Sequence, residues 1–125
     1  MIIDTDVLIW YLRGNEKAGK AVRKSLPFDI SVITYMELVQ GMRNKDELRL
    51  LLKQLQIWRV NIVHIDTDIS NRAMYYVEEM HLSHALALAD ALIAASVVER
   101  GETLLTANDK HYRHIPNLQL KPFRP

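Results

Sequence analysis

Short apolar runs alternate with amphipathic and polar stretches along this chain, and the alternation predicts strands separated by helices. Ile2-Ile3 is apolar and β-branched and runs directly into Asp4-Thr5-Asp6. Val7 to Leu12 then reads as a helix capped by Asp or Thr and closed by Arg13-Gly14. Lys17 to Lys24 is a polar helix stopped before Pro27, Phe28 to Ile33 a second strand, and Thr34-Tyr35-Met36-Glu37 the opening of the next helix. Leu48, Leu51, Leu52 and Leu55 fall at i, i+3, i+4 and i+7, which predicts an amphipathic helix over about 44–57. Val60 to Ile65 reads as a third strand. Ile69, Ala73, Val77 and Met80 mark another helix, and a second follows around Asp90. Thr103 to Thr106 is a fourth strand, Leu118 to Leu120 a short fifth, and Lys121 to Pro125 a loose tail.

Strands alternating with helices imply right-handed crossovers and a parallel sheet covered on both faces. The expected architecture is one α/β domain over residues 1–125: a three-layer α/β/α sandwich around a mostly parallel sheet of four to five strands. A chain of 125 residues can bury a single core without staples. With no cysteine, disulfides, thiolate metal sites and a thiol nucleophile are excluded. No basic leader precedes the N-terminal apolar residues, and the longest apolar run falls short of a membrane span, so a cytoplasmic protein is expected. The net charge of +1 decides nothing as a total. If several carboxylates converge on a metal, however, the remaining surface is basic enough to suit a polyanion.

Asp90 is the one carboxylate in Leu86-Ala87-Leu88-Ala89-Asp90-Ala91-Leu92-Ile93-Ala94-Ala95. A helix apolar all round reads as buried, and a buried carboxylate needs a proton, a donor or a cation. No cap or turn accounts for it there. In open parallel sheets, sites form beyond the carboxyl ends of the strands. Asp4 follows the first strand, Glu37 lies a turn beyond the second, and Asn108 and Asp109 follow the fourth. Asp90 lies on the helix feeding that fourth strand. Four such positions could meet at one edge, and oxygen-only ligands suit Mg²⁺ or Mn²⁺.

Local readings compete. Asp4 and Asp6 could cap the first helix, Thr34 and Glu37 could form a capping box, and Asn108-Asp109 could make an Asx turn. His81 and His84, three apart, read as a surface turn at a helix end before a zinc pair. His111, Tyr112, Arg113 and His114 could approach a phosphate backbone or form a solvated loop.

At this point the chain resembles a family, the PIN-domain nucleases, and among them the VapC-type toxins of toxin–antitoxin pairs. Ile2-Ile3-Asp4-Thr5-Asp6-Val7-Leu8-Ile9 is similar to the family's opening strand and first acid. Ser31-Val32-Ile33-Thr34-Tyr35-Met36-Glu37-Leu38 resembles the second motif, Leu88-Ala89-Asp90-Ala91-Leu92-Ile93-Ala94-Ala95 the third, and Leu105-Thr106-Ala107-Asn108-Asp109-Lys110-His111-Tyr112 the last. Two departures stand out. The family often has Asn where this chain has Asp6, and the last polar position could fall on Asn108 or Asp109.

The resemblance implies a metal-dependent endoribonuclease. Asp4 and Asp90 would hold Mg²⁺, or Mn²⁺, with Glu37 and Asp109 completing the pocket directly or through water. Glu37 or Asp90 would take the proton of the attacking water, leaving 3′-hydroxyl and 5′-phosphate ends. Thr5, Asp6, Thr106 and Asn108 would orient ligands or waters. Lys17, Lys20, Arg43, Lys45, Lys110 and Arg113 are candidates for the backbone-binding rim. The resemblance further implies an RNA substrate (transfer RNA being the commonest in the family), a VapB-type antitoxin and a homodimer. The Val7–Leu12 helix and the leucine-rich helix are candidate contact surfaces. Three rival readings are a haloacid-dehalogenase-like phosphatase using Asp4 and Asp6, a phospho-receiver using Asp66, and a PIN fold that binds RNA without cutting it.

Overall fold

The computed structural model describes residues 1–125. The chain runs β1 (Ile2–Ile3), α1 (Thr5–Leu12), α2 (Glu16–Ser25), β2 (Asp29–Ser31), α3 (Val32–Gln40), α4 (Lys45–Ile57), β3 (Asn61–Val63), α5 (Thr67–His84), α6 (Leu88–Arg100), β4 (Thr103–Thr106), α7 (Asp109–Tyr112) and β5 (Gln119–Pro122). All strand pairings are parallel, and the order across the sheet is β3-β2-β1-β4-β5. The chain builds β2 and β3 on one side of β1, then crosses back to add β4 and β5 on the other. That reversal opens a crevice between the carboxyl ends of β1 and β4, where ligands of open α/β sheets sit.

Adjacent strand residues point to opposite faces, and the two cores follow this alternation. Ile2 and Leu104 pack with α5, α6 and α7, through residues such as Ala73, Tyr76, Ile93, Val97 and Tyr112. Ile3, Ile30 and Leu105 pack on the other face with Val7, Leu8, Val22, Leu38, Leu51 and Leu55. Ile2 pairs with Leu104 and Ile3 with Leu105, so the register keeps both faces apolar. The three-layer sandwich is as the alternation of elements predicts. No helix is long and apolar enough to cross a membrane.

Side-chain caps start several helices. Asn15 accepts from Ala18 N, Asn44 from Glu47 N, and Asp66 Oδ1 from Ile69 N at 2.8 Å. Ser31 caps α3, its Oγ accepting from Ile33 N at 3.1 Å. The helix therefore begins before Thr34, and the expected strand through Ile33 and capping box at Thr34–Glu37 both give way. Ser31 offers the earlier cap, and Thr34 is drawn into the interior, fully buried.

The tail is also ordered. Lys121 and Pro122, expected to be loose, finish β5 against Leu105 and Thr106. Phe123 is 6% exposed, and its N–H donates to Thr106 O at 2.7 Å. A buried aromatic ring and a ladder bond outweigh the polar composition of this stretch.

Candidate active site

Asp4 ends β1 at the crevice and is 5% exposed. Its Oδ1 accepts from Thr5 N at 2.9 Å and its Oδ2 from Thr106 Oγ1 at 2.8 Å. Thr106 in turn accepts from Asn108 N, so the end of β4 and the following loop are tied to the Asp4 carboxylate. Burial, first, and the neighbouring Asp6 charge, second, push the Asp4 carboxyl up to about 7, against the donors that favour ionisation.

Asp6 takes the N–H of Ala107 on Oδ2 at 3.0 Å, while its Oδ1 is buried without a partner. Burial raises its pKa, and the Asp90 charge adds to the rise. The extra carboxylate noted in the sequence thus faces the same crevice as Asp4 and Asp90.

The structure corrects the reading of Asp90. It is not mid-helix and not buried; it lies in the first turn of α6, with its side chain 25% exposed. Ala87 provides no side-chain cap to this helix, so Asp90 sits among free N–H groups at its positive end. The local reading that its sequence setting denied it therefore exists. Asp90 nonetheless faces the crevice: Tyr112 Oη donates to its Oδ1 at 3.1 Å, and Oδ2 lies 3.5 Å from His111 Nδ1.

Glu37 stands exposed on α3, joined to the site through threonines. Thr5 Oγ1 is 2.8 Å from Glu37 Oε1 and 2.9 Å from Thr34 Oγ1. One hydroxyl has one proton, and the carboxylate can only accept. The relay therefore runs from Thr34 to Thr5 to Glu37.

Asp109 is drawn elsewhere. Arg124 Nη1 donates to its Oδ1 at 2.8 Å, and this pairing holds the carboxyl below its usual range. Asn108 contributes its backbone N–H to Thr106, while its side chain is not a cap for α7. The expected convergence of four acids is therefore partial. Asp4, Asp6 and Asp90 face one crevice, with the Asp6 charge felt at Asp4 and the Asp90 charge at Asp6; Glu37 is one threonine from Asp4, and Asp109 is engaged with the tail. No three acidic or histidine side chains form a ready-made ion cage.

Sequence reasoning missed two participants. Tyr112, read above as a phosphate contact or solvated loop residue, is 1% exposed and donates to Asp90, and Arg124 reaches back from the tail to Asp109. An aromatic residue in a polar loop was a sign for the first; nothing local marks the second. Of the rim candidates, Arg43 is spent on Glu47, which it grips at 2.8 and 3.2 Å. His84, offered above as half of a pair with His81, stacks flat on His114 at 4.0 Å between centroids.

The donor set fits a hard divalent cation. Asp4, Asp6 and Glu37 have no Lys or Arg partner, Asp6 Oδ1 is orphaned, and the Asp4 carboxyl is raised by burial first and by the Asp6 charge second. Mg²⁺ commonly binds through one or two carboxylates and keeps several waters, which needs no closed cage. The two rivals that use these acids differently fit poorly. Asp66 caps α5 beyond edge strand β3, away from the crevice, and no Lys stands against Asp4 or Asp6. Beside the crevice runs an apolar groove of about 820 Å³, lined by Ile9, Leu12, Leu38, Leu50 and Ile57, with Glu37 on its wall.

A fold of five parallel strands with acids at its switch point defines a class, and comparison with known proteins agrees. The PIN domain family model matches residues 1–118. Ribonuclease VapC10 of Mycobacterium tuberculosis is 32% identical over 130 residues, covering 98% of this chain and 91% of that protein. A toxin–antitoxin complex from Klebsiella pneumoniae superposes with a TM-score of 0.83 at 28% identity, covering 99% of this chain and 98% of that one. VapBC2 from Rickettsia felis, bound to a DNA fragment from its promoter, shares the fold at a TM-score of 0.81 and 20% identity, covering 98% of each chain. The chain belongs to the PIN-domain family and, within it, to the VapC proteins.

Proposed function

We propose that this VapC protein is a divalent-metal-dependent endoribonuclease, the toxin of a toxin–antitoxin pair, acting on RNA in the cytoplasm. The observation that carries the reading is the gathering of Asp4, Asp6 and Asp90 at the switch point without a Lys or Arg to neutralise them. The ribonuclease name of its Mycobacterium relative supports the same substrate class. Asp4 and Asp90 would hold Mg²⁺ or Mn²⁺, with Asp6 holding waters from its unpartnered Oδ1. A cation bound there supplies positive charge against the phosphoryl oxygens and makes water a stronger acid. Thr106 and the Thr5 N–H fix the Asp4 carboxylate, and the Thr34–Thr5 relay fixes Glu37. Glu37 Oε2 takes no hydrogen bond, and it accepts the proton of the water that attacks phosphorus in line with O3′. The products carry 5′-phosphate and 3′-hydroxyl ends. Lys110 and Arg113, on and just after α7, steady the RNA backbone at the rim.

A VapB-type antitoxin fits the apolar groove between α1 and α4, the two surfaces expected to make contacts. Leu50 and Ile57 are 59% and 64% exposed there, and Glu37 on the same wall would let a cationic side chain of the partner reach the site. Transfer RNA as substrate and a homodimer complete the proposal. The test is digestion of total RNA by the purified protein with Mg²⁺, with EDTA, and with Asp90→Asn. Cleavage should require Mg²⁺ and vanish in Asp90→Asn, whose circular dichroism should match the parent. Retained Mg²⁺-dependent cleavage in a clean preparation of that variant would sink the assignment.

A further inference from the structure

We propose that Tyr112 is the positioning residue of the acidic pocket: its hydroxyl holds the Asp90 carboxylate in the orientation in which it receives a divalent cation. The inference rests on the metal-dependent reading above and adds to it a residue outside the acids.

Tyr112 closes α7 with its ring in the core, packed among residues of α5, α6 and β4, and its residue surface is 1% exposed. A buried phenol needs a hydrogen-bond partner, and most core positions would supply a carbonyl. Here the partner is a carboxylate: Oη donates to Asp90 Oδ1 at 3.1 Å. The bond leaves Asp90 Oδ2 as the oxygen without a strong donor, its nearest neighbour being His111 Nδ1 at 3.5 Å.

The mounting of α7 makes this positional control. Asn108 N donates to Thr106 Oγ1, and Thr106 donates to Asp4 Oδ2. The loop that places the Tyr112 hydroxyl on Asp90 is thus the loop that fixes Asp4. Phe would fill the same space and keep the packing, and it would leave Asp90 Oδ1 without its donor.

The experiment compares full-length parent and Tyr112→Phe in three measurements: thermal melting without cation, Mn²⁺ binding by calorimetry, and cleavage as a function of Mn²⁺ concentration. The variant should fold with parental circular dichroism and bind Mn²⁺ about tenfold more weakly, as loss of an outer partner of a ligand typically does. Cleavage should need correspondingly more Mn²⁺ and return toward the parental rate at saturation. An Mn²⁺ affinity within about twofold of the parent would overturn the proposal. A parent that binds no Mn²⁺ would instead overturn the metal-dependent reading itself. A check independent of the variant's folding uses parent protein carrying ¹³Cζ-tyrosine. Of its five tyrosines, one resonance should shift saturably on Mg²⁺ addition. If Mg²⁺ binds and none moves, the proposal fails.

Discussion

Asp4→Asn should stabilise the cation-free protein while abolishing cleavage. Asp4 is 5% exposed and its carboxyl titrates at about 7 in place of 3.8, chiefly because burial penalises the charge and secondarily because Asp6 repels it. Between those two values the folded chain holds a proton that the unfolded chain has released. Stability therefore falls as pH rises through that window and levels off above it. At pH 8 the buried charge costs the folded protein about 4 kcal/mol, an order-of-magnitude figure. Asn keeps the volume, still accepts from Thr5 N, and can turn its amide toward Thr106. Weaker hydrogen bonds to a neutral group return part of the gain, leaving about 2 kcal/mol. That corresponds to a melting temperature higher by roughly 5–10 °C at pH 8 in EDTA, shrinking as pH falls toward 5. Calorimetric melting of parent and variant across this range reads the effect. A variant that melts no higher than the parent at pH 8, or that keeps the parent's full pH dependence, would refute the reasoning.

Two further outcomes test the architecture. Phe123→Ala should cost about 3 kcal/mol in chemical denaturation, because a nearly buried ring is lost from the β5 end of the sheet; a loss under about 0.5 kcal/mol would mean the tail is not packed. Leu50→Glu should weaken inhibition by the cognate antitoxin at least tenfold in a titrated cleavage assay, read against the variant's own uninhibited rate; Leu50 is 59% exposed on the groove that Glu37 also lines. Unchanged inhibition would move the partner to another surface.

The order of elements was legible because each strand carries a short apolar run and α4 and α5 keep a helical period. Their ends were less so. Ser31 caps α3 three residues before Thr34, and nothing in the sequence ranks one hydroxyl cap above the other. Asp90 looked interior because Leu86 and Ala87 extend the apolar run, yet the chain folds α6 only from Leu88. Leu86 is buried as part of the core before the helix starts. Asp4 could be placed at the site from its position just beyond β1, and Asp90 from its helix feeding β4. Asp109 could not, since its pairing with Arg124 depends on β5 running beside β4. Tyr112 was hidden for the same reason: its partner lies 22 residues away and meets it only in the folded chain.

The chemistry of the cut ends tests the central claim most directly. RNA digested by the parent protein in Mg²⁺ should carry 5′-phosphate and 3′-hydroxyl termini, with no products in EDTA or from Asp90→Asn. Termini bearing 2′,3′-cyclic phosphate, or cleavage that persists in EDTA, would contradict a metal-dependent acidic site.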